Sequence, residues 1–269
     1  MTIECVTDPL DARLEAYRRA RDPAWRRTAG CFVVEGRLLV ERLLGGSRFR
    51  ARSVLATPGA VARLRPFLDA APDLTVYVAE PAVLHTVLSF TFHRGCLALA
   101  ERGPELSPAT LVAPGGRRCL LVLDRVADPV NVGALVRNAR AFGAAGVLCA
   151  PGTADPLAPK AVRASAGAVL ALPVATLADW PEGLEALRQA GYALVALAPD
   201  GAVELRELGG PRPVPARLAL LVGAEGAGLD PAARRRADLT VRIAMAPGVD
   251  SLNVAVAAAI ALHHLARAD

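Results

Sequence analysis

From residue 119 onward the chain alternates two patterns of apolar residues. Near-continuous apolar runs, CLLVLD (119–124), GVLCA (146–150), VLALPVA (169–175), YALVALA (192–198), LALLVG (218–223) and LTVRI (239–243), are separated by segments in which apolar positions recur every three or four residues. Runs apolar at every position suit strands covered on both faces, so they predict a largely parallel sheet flanked by helices. Helix starts can be read between the runs. Asn131 opens NVGALVRNARAF, Asp230 followed by Pro231 is a cap with proline at the first helical position, and Asp250 or Ser251 opens the last helix. Residues 31–100 repeat the alternation with shorter elements: strands CFVV, RSVLAT, LTVYVA and GCLALA, and helices GRLLVERLL, AVARLRPFLDAA and PAVLHTVL. The stretch RGPELSPATLVAPGGRR breaks the pattern with clustered Pro and Gly. The chain therefore divides into a smaller α/β domain over 1–103, a linker over 104–117 and a larger α/β domain over 118–269.

The last helix is unusual in carrying no charge from Leu252 to Leu262, a stretch whose one strongly polar residue is Asn253. Its 11 residues fall well short of the roughly 20 that cross a bilayer. Such a helix needs packing partners on most sides. The start, MTIECVTDPLDARLEAYRRA, lacks the basic segment and apolar core of a signal peptide, which predicts a cytoplasmic protein. Five scattered cysteines with no C-x-x-C pair and no histidine at ligand spacing read as reduced thiols, with no metal site expected.

Charge changes the picture at one end of the chain. The 269 residues carry a net charge of +5, but the segment from Arg13 to Arg65 holds 13 arginines against the four acids Glu15, Asp22, Glu35 and Glu41. Residues 104–269 are nearly balanced, with 16 basic and 15 acidic groups. A guanidinium fork matches phosphate oxygens, so Arg18, Arg19, Arg21, Arg26, Arg27 and Arg37 are candidate contacts to a nucleic-acid backbone. The rival reading is a solvated helix face in a chain that uses Arg in place of Lys, Lys160 being its one lysine.

Two loops of the larger domain hold more chemistry than packing requires. DPVNVGALVRNARAFGAAG places Asn131 and Gly133 at a helix start and Arg137 near its second turn. LLVGAEGAGLD is a glycine-rich loop directly after a buried strand, where Gly223, Gly226 and Gly228 let backbone approach a ligand. Its G-x-x-G-x-G spacing, and a helix that begins only at Pro231, do not fit the dinucleotide fingerprint. It also lacks the G-K-[ST] of a phosphate loop.

Taken with the last helix, these loops form a specific set. N-V-G-A-L-V-R (131–137), V-G-A-E-G-A-G (222–228) and S-L-N-V-A-V-A (251–257) closely resemble, in order and spacing, the three motifs of the SpoU (TrmH-like) RNA 2′-O-methyltransferases of the SPOUT superfamily. FVVEGRLLVERLL and its surroundings resemble, more weakly, that family's ribosomal-protein-like substrate-binding domain.

The resemblance implies a catalytic domain with a deep trefoil knot, S-adenosylmethionine as cofactor, transfer RNA or ribosomal RNA as substrate, and a homodimer with the last helix in the interface. It further implies that Leu197, Ala198, Gly223, Ala224, Glu225, Gly226, Ile243, Met245 and Leu252 contact the cofactor. Arg137 takes the position of the family's catalytic arginine, supported by Asn131, Glu225, Ser251 and Asn253. A guanidinium with a pKa above about 12 is a poor proton acceptor, so the role expected of Arg137 is to hold a phosphate and stabilise the developing alkoxide. The chain departs from the family pattern at Ala244, where proline is common, at Ala255, where serine is, and at Asn138, where a small hydroxyl residue is frequent. A non-enzymatic RNA-binding protein on the same fold and a base-methylating relative are the competing readings.

Overall fold

A computed structural model describes residues 1–88, 95–112 and 118–266. It divides into two units, one comprising Met1–Pro104 with Leu157–Ala171 and the other Glu105–Pro156 with Leu172–Asp269.

In the first unit, strands β1 (Thr2–Cys5), β2 (Cys31–Glu35), β3 (Ala51–Ala56), β4 (Thr75–Val78) and β5 (Cys96–Glu101) form a sheet in the order β1-β4-β3-β5-β2. Strand β5 runs antiparallel to both neighbours, and the pairs β1–β4 and β3–β4 are parallel. The apolar runs read from the sequence are the strands that are buried, Val54, Leu55 and Ala98 completely so. No apolar run marks TIEC, because β1 is an edge strand with exposed residues and only its register with β4 defines it. Helices α1 (Glu15–Arg18), α2 (Pro23–Thr28), α3 (Arg37–Leu44), α4 (Pro58–Asp69) and α5 (Pro81–Leu88) cover the sheet. Helix α3 shows why the spacing works: Leu39, Val40 and Leu43 are buried while Arg37 and Leu38 face out.

The segment Leu157–Ala171 departs from the expectation that 118–269 is one continuous domain, since it packs with the first unit. It also corrects the strand read at VLALPVA. Ala168–Leu170 is a 3-10 turn, and the strand begins only at Val174. The Leu170 carbonyl accepts from Arg48 N–H and from Ser47 Oγ, each at 3.0 Å, so it is not available to a ladder. Pro173 has no N–H to offer one.

The second unit holds strands β6 (Arg118–Asp124), β7 (Gly146–Cys149), β8 (Val174–Thr176), β9 (Ala193–Leu197), β10 (Val203–Glu204), β11 (Arg217–Gly223) and β12 (Leu239–Arg242) in the order β10-β12-β9-β11-β6-β7-β8. All of these pairings are parallel, as the continuous apolar runs predicted. The helices are α6 (Pro108–Leu111), α7 (Pro129–Ala141), α8 (Pro159–Ala164, which belongs to the first unit), α9 (Leu184–Gln189), α10 (Pro231–Arg236) and α11 (Val254–Ala266). Part of the expected linker is structured. Ser107 caps the short helix α6 by accepting from Ala109 N–H. Leu111 at its end is buried in the core of the second unit, occupying space that a side chain at Gly146 would need, while residues 113–117 lie outside the described residues.

Helix α11 packs on α7 and on β11. Ala258 and Ala261 are fully buried, which lets the backbones approach closely, and Asn138 Nδ2 donates to the Ala255 carbonyl at 2.8 Å. One stripe of the helix stays open: Val256 is 49% exposed and Ile260, one turn on, is 40% exposed.

Candidate active site

A cleft of about 630 Å³ opens at the carboxyl ends of β9, β11 and β12, the end of a parallel sheet where loops are free to converge on a ligand. Its walls are mostly apolar. Leu197 and Ala198 lie at the end of β9, Ile243 and Met245 follow β12, and Leu252, Val254 and Ala257 come from the start of α11 and the residues before it. Gly223, Ala224, Glu225, Gly226 and Gly228 form the remaining side, with Ser251 and Asn253 beside them.

The loop after β11 is a tight turn built by glycine. Ala224 N–H donates to the Gly228 carbonyl at 3.1 Å and Gly228 N–H donates back at 2.9 Å. Gly226 and Gly228 have φ of 80° and 69°, in the left-handed region that glycine occupies without strain. Gly223 is required for a different reason. A Cβ there would overlap the backbone of Gly228 and the Leu229 amide.

Polar groups from three distant segments meet beside this loop. Asn131 Nδ2 donates to Glu225 Oε1 at 2.7 Å, Asn253 Nδ2 donates to the same oxygen at 2.9 Å, and Asn253 Nδ2 also lies 3.0 Å from Asn131 Oδ1. Asn253 Oδ1 accepts from Ala255 N–H and Val256 N–H, so Asn253, not Asp250 or Ser251, caps α11. Residues 251–253 precede the helix. The start of α7 shifts likewise: Asp128 is its cap, accepting from Val130 N–H at 2.9 Å, with Pro129 first in the helix. Asn131 therefore sits inside the first turn, where it is 8% exposed and held by Glu225.

Asp124 is a residue that the sequence reading misses, and the signal that could have found it is an acid closing an apolar run. It is fully buried and stands beside Gly223 in the register of β6 and β11. Its carboxylate accepts from Asp230 N–H at 2.5 Å and from Arg125 Nε at 3.1 Å. It thereby anchors the far end of the glycine loop to the central strand. A buried carboxylate is stable only with such donors around it.

The residues expected to contact a cofactor, Leu197 to Leu252, all line the cleft, as do Glu225, Ser251 and Asn253. Asn131 joins them through its hydrogen bonds. Arg137 does not line the cleft. Six residues beyond Asn131, it points about 120° away around α7 and is exposed to solvent.

The arginines expected to meet RNA are in the first unit, and intramolecular partners already hold several. Arg26 is a correction: it is 6% exposed and its guanidinium donates to the Ala20 carbonyl at 2.7 Å, so it is part of the packing between α2 and the preceding turn and is closed to phosphate. Arg18 pairs with Glu15 at 2.8 Å and donates to the Pro9 carbonyl. Arg37 pairs with Glu41 at 2.5 Å, and Arg19 lies over the Trp25 ring. Arg21 and Arg27 are exposed.

Among the described residues, no group of three or more His, Cys, Asp and Glu is placed to hold a metal ion. No helix among them is long and apolar enough to cross a membrane. Burial pushes the thiols of Cys96, Cys119 and Cys149 up to about 12 and that of Cys31 upward.

Comparison with known proteins gives a consistent pattern. The model of the SpoU rRNA Methylase family matches residues 118–263. An uncharacterized tRNA/rRNA methyltransferase of Mycobacterium bovis is 40% identical over 99% of this chain and 93% of its own length. The 23S rRNA (guanosine-2′-O-)-methyltransferase RlmB of a Burkholderia species is 34% identical over 77% of this chain and 83% of its own. Among solved structures, the SpoU methyltransferase AviRb of Streptomyces viridochromogenes in complex with AdoMet superposes with a TM-score of 0.82 at 28% identity, covering 96% of this chain and 98% of that one. An AdoMet-bound rRNA methyltransferase from Sinorhizobium meliloti superposes equally well, with a TM-score of 0.82 at 28% identity over 98% of both chains.

Proposed function

Because the chain belongs to the SpoU rRNA methylase family, we propose that it transfers a methyl group from S-adenosylmethionine to a ribose 2′-hydroxyl of a transfer or ribosomal RNA. The observation that carries this reading is the junction of Asn131, Glu225 and Asn253 at the side of an apolar cleft. It ties together the three stretches in which the family's motifs lie, from positions 94 and 122 residues apart in the chain.

The cleft fits S-adenosylmethionine. Its volume lies in the range of ligand sites, about 300–1,000 Å³. Leu197, Ala198, Ile243, Met245 and Leu252 provide walls for an adenine and a ribose, and Gly223, Ala224 and Gly226 bring backbone to the same cleft in a turn that closes only because Gly223 has no side chain to meet Gly228 and Leu229. When bound there, the cofactor supplies an electrophilic methyl group on a sulfonium. Glu225 keeps Oε1 for the two asparagine amides, which leaves its second oxygen for a donor on cofactor or ribose. Ser251, next to Asn253 in the lining, is placed to hold the ribose.

Arg137 acts on the RNA, not on the cofactor. Its exposed guanidinium has no partner among the described residues, so it is free to hold a phosphate and stabilise the alkoxide that develops as the 2′-hydroxyl attacks. The proton leaves to solvent or to that phosphate. Val130, seven residues earlier on the same stripe of α7, is 47% exposed, and Val256 and Ile260 are exposed on α11, the helix packed against α7, so the reading takes these apolar residues as one face. A homodimer formed on this face, with the trefoil-knotted path of the family, belongs to the same reading, and it would bring Arg137 into the assembly. The first unit, with the basic excess of Arg13–Arg65, serves as the substrate-binding domain, in a cytoplasmic protein.

Incubation with RNA and S-adenosylmethionine, followed by nuclease digestion and mass spectrometry of the nucleosides, tests the proposal. A 2′-O-methylated nucleoside that appears with the wild type and not with Arg137→Ala is the expected result. Methylation found only on a base would refute it.

A further inference from the structure

The first unit holds a second cleft, of about 440 Å³, at the end of its sheet where β3 and β4 begin and β5 ends. This is the opposite end of the sheet from Glu35, the residue that closes β2. Phe49, Arg50, Arg52, Asp73, Leu74 and Glu101 line it. We propose that this cleft binds an unpaired guanine nucleotide of the RNA substrate, with Glu101 on the base and Arg50 and Arg52 on the phosphate. The inference rests on the reading that the substrate is RNA.

The first observation is which charges remain available. Of the arginines between Arg13 and Arg65, Arg13, Arg18, Arg19, Arg37 and Arg65 are paired with carboxylates. Arg26 and Arg42 are committed to the carbonyls of Ala20 and Ala166. Arg50 has no side-chain partner among the described residues, and Arg52 has only a 3.2 Å contact to the Ala29 carbonyl. Arg27 and Arg63 are also exposed but stand on separate helices, whereas Arg50 and Arg52 converge on one cavity. The Glu101 and Asp73 side chains in that cavity have no partner among the described residues either. A cleft that keeps guanidinium and carboxylate groups apart, when either could neutralise the other, is suited to a ligand with both a donor edge and a negative charge.

The second observation is that these groups are held in place. Glu101 N–H donates to the Arg50 carbonyl at 2.9 Å, so the two residues face each other across the end of the β3–β5 ladder. The register then slips between Ala51 and Ser53, leaving Arg52 as the extra residue of a bulge, a device that redirects a side chain. The approach to β3 is fixed by Ser47 Oγ, which donates to the Leu170 carbonyl and accepts from Phe49 N–H, both at 3.0 Å. Phe49, which lines the cleft, is itself held by Arg48 over its ring at 4.5 Å and by an edge-to-face contact with Phe32 at 4.9 Å.

Guanine is the base that fits this set. Its N1–H and N2–H are two parallel donors that match one carboxylate, while adenine and cytosine offer a single amino donor beside an acceptor and uracil a single N–H. Sequence-specific RNA recognition reads such unstacked bases by their Watson–Crick edge.

The test uses the full-length protein and reads three quantities separately: binding of GMP, AMP, CMP and UMP by titration calorimetry, affinity for substrate RNA, and affinity for S-adenosylmethionine. The expected result is GMP binding at least about fivefold tighter than AMP, lost on Glu101→Gln and on Arg50→Ala, with RNA affinity lowered at least about fivefold by the same variants and by Arg52→Ala. S-adenosylmethionine binding and the melting temperature stay unchanged. Equal binding of GMP and AMP, or GMP binding that survives both variants, overturns the proposal. So does a loss of GMP binding with unchanged RNA affinity, which would make the ligand a free nucleotide. Methyl transfer to RNA by the wild type is scored on its own, so a wrong assignment of this cleft and a wrong assignment of the enzyme's activity give different results.

Discussion

Replacing Gly223 by alanine tests the cleft at the point where the structure is least tolerant. The added methyl would overlap the Gly228 carbonyl and the Leu229 amide, and all of these contacts are backbone, so no side chain can rotate to make room. The loop must move by more than about 1 Å to restore a contact of about 3.5 Å. That displacement breaks the reciprocal pair between Ala224 and Gly228, two hydrogen bonds worth about 1 kcal/mol each. Overpacking adds about 1–3 kcal/mol. The total, about 3–5 kcal/mol before relaxation, falls on a glycine loop at the rim of the cleft, so the loop yields before the core does. Even if relaxation removed half of it, about 1.5–2.5 kcal/mol would remain, which is roughly a ten- to seventyfold loss of affinity. Calorimetric titration with S-adenosylmethionine and S-adenosylhomocysteine should show that loss, while the melting temperature falls by only a few degrees. A dissociation constant within about threefold of wild type, less than 1 kcal/mol by the same conversion, would show that the turn closed by Gly223 does not shape the cofactor site.

Arg137→Ala should lower the methyl-transfer rate at least about a hundredfold, since losing one preorganised donor costs about 2.7–4 kcal/mol in the transition state; S-adenosylmethionine affinity should not change, because the side chain lies outside the cleft, and loss of cofactor binding would refute the role. Arg137→Lys should recover little of that rate, because a point charge cannot reproduce the forked contact. Val256→Asp on the open stripe of α11 should convert a dimer to a 28.0 kDa particle in sedimentation; wild type that already sediments as a monomer at micromolar concentration would refute the dimer. The buried thiols set an alkaline limit: Cys96, Cys119 and Cys149 have folded values raised from 9.0 to about 12, so the folded state holds protons that the unfolded state releases. Their contribution is fully present below about pH 9 and is lost as pH rises toward about 12, so the melting temperature should decline across that window, and replacing Cys149 by Ser should flatten the decline. In the native protein a thiol reagent should modify the exposed Cys5 and reach the buried Cys31, Cys96 and Cys149 only after unfolding; fast modification of Cys149 would contradict its burial.

Much of this protein follows from short-range pattern. A strand covered on both faces must be apolar at every position, so CLLVLD, YALVALA and LALLVG announce the parallel sheet by themselves, and Asp230–Pro231 announces its helix because capping chemistry is local. The motif stretches carry the cleft as well, since the loops at the carboxyl ends of adjacent parallel strands have nowhere else to converge. What the sequence could not determine depends on partners far along the chain. VLALPVA has the composition of a strand, yet the Leu170 carbonyl is taken by Arg48 and Ser47, more than 120 residues earlier, and no local pattern encodes that choice. Arg26 and Arg27 are neighbours in one basic run; only the turn of α2 over the Ala20 carbonyl buries one and exposes the other. Asp124 reads as the polar end of a strand until the register with β11 places it beside Gly223, under the loop it anchors. Composition and periodicity fix which residues must be hidden, because burial is a property of each residue with its near neighbours. Which donor meets which acceptor is fixed only when the whole chain has closed, because a hydrogen bond is made between positions and not within a pattern.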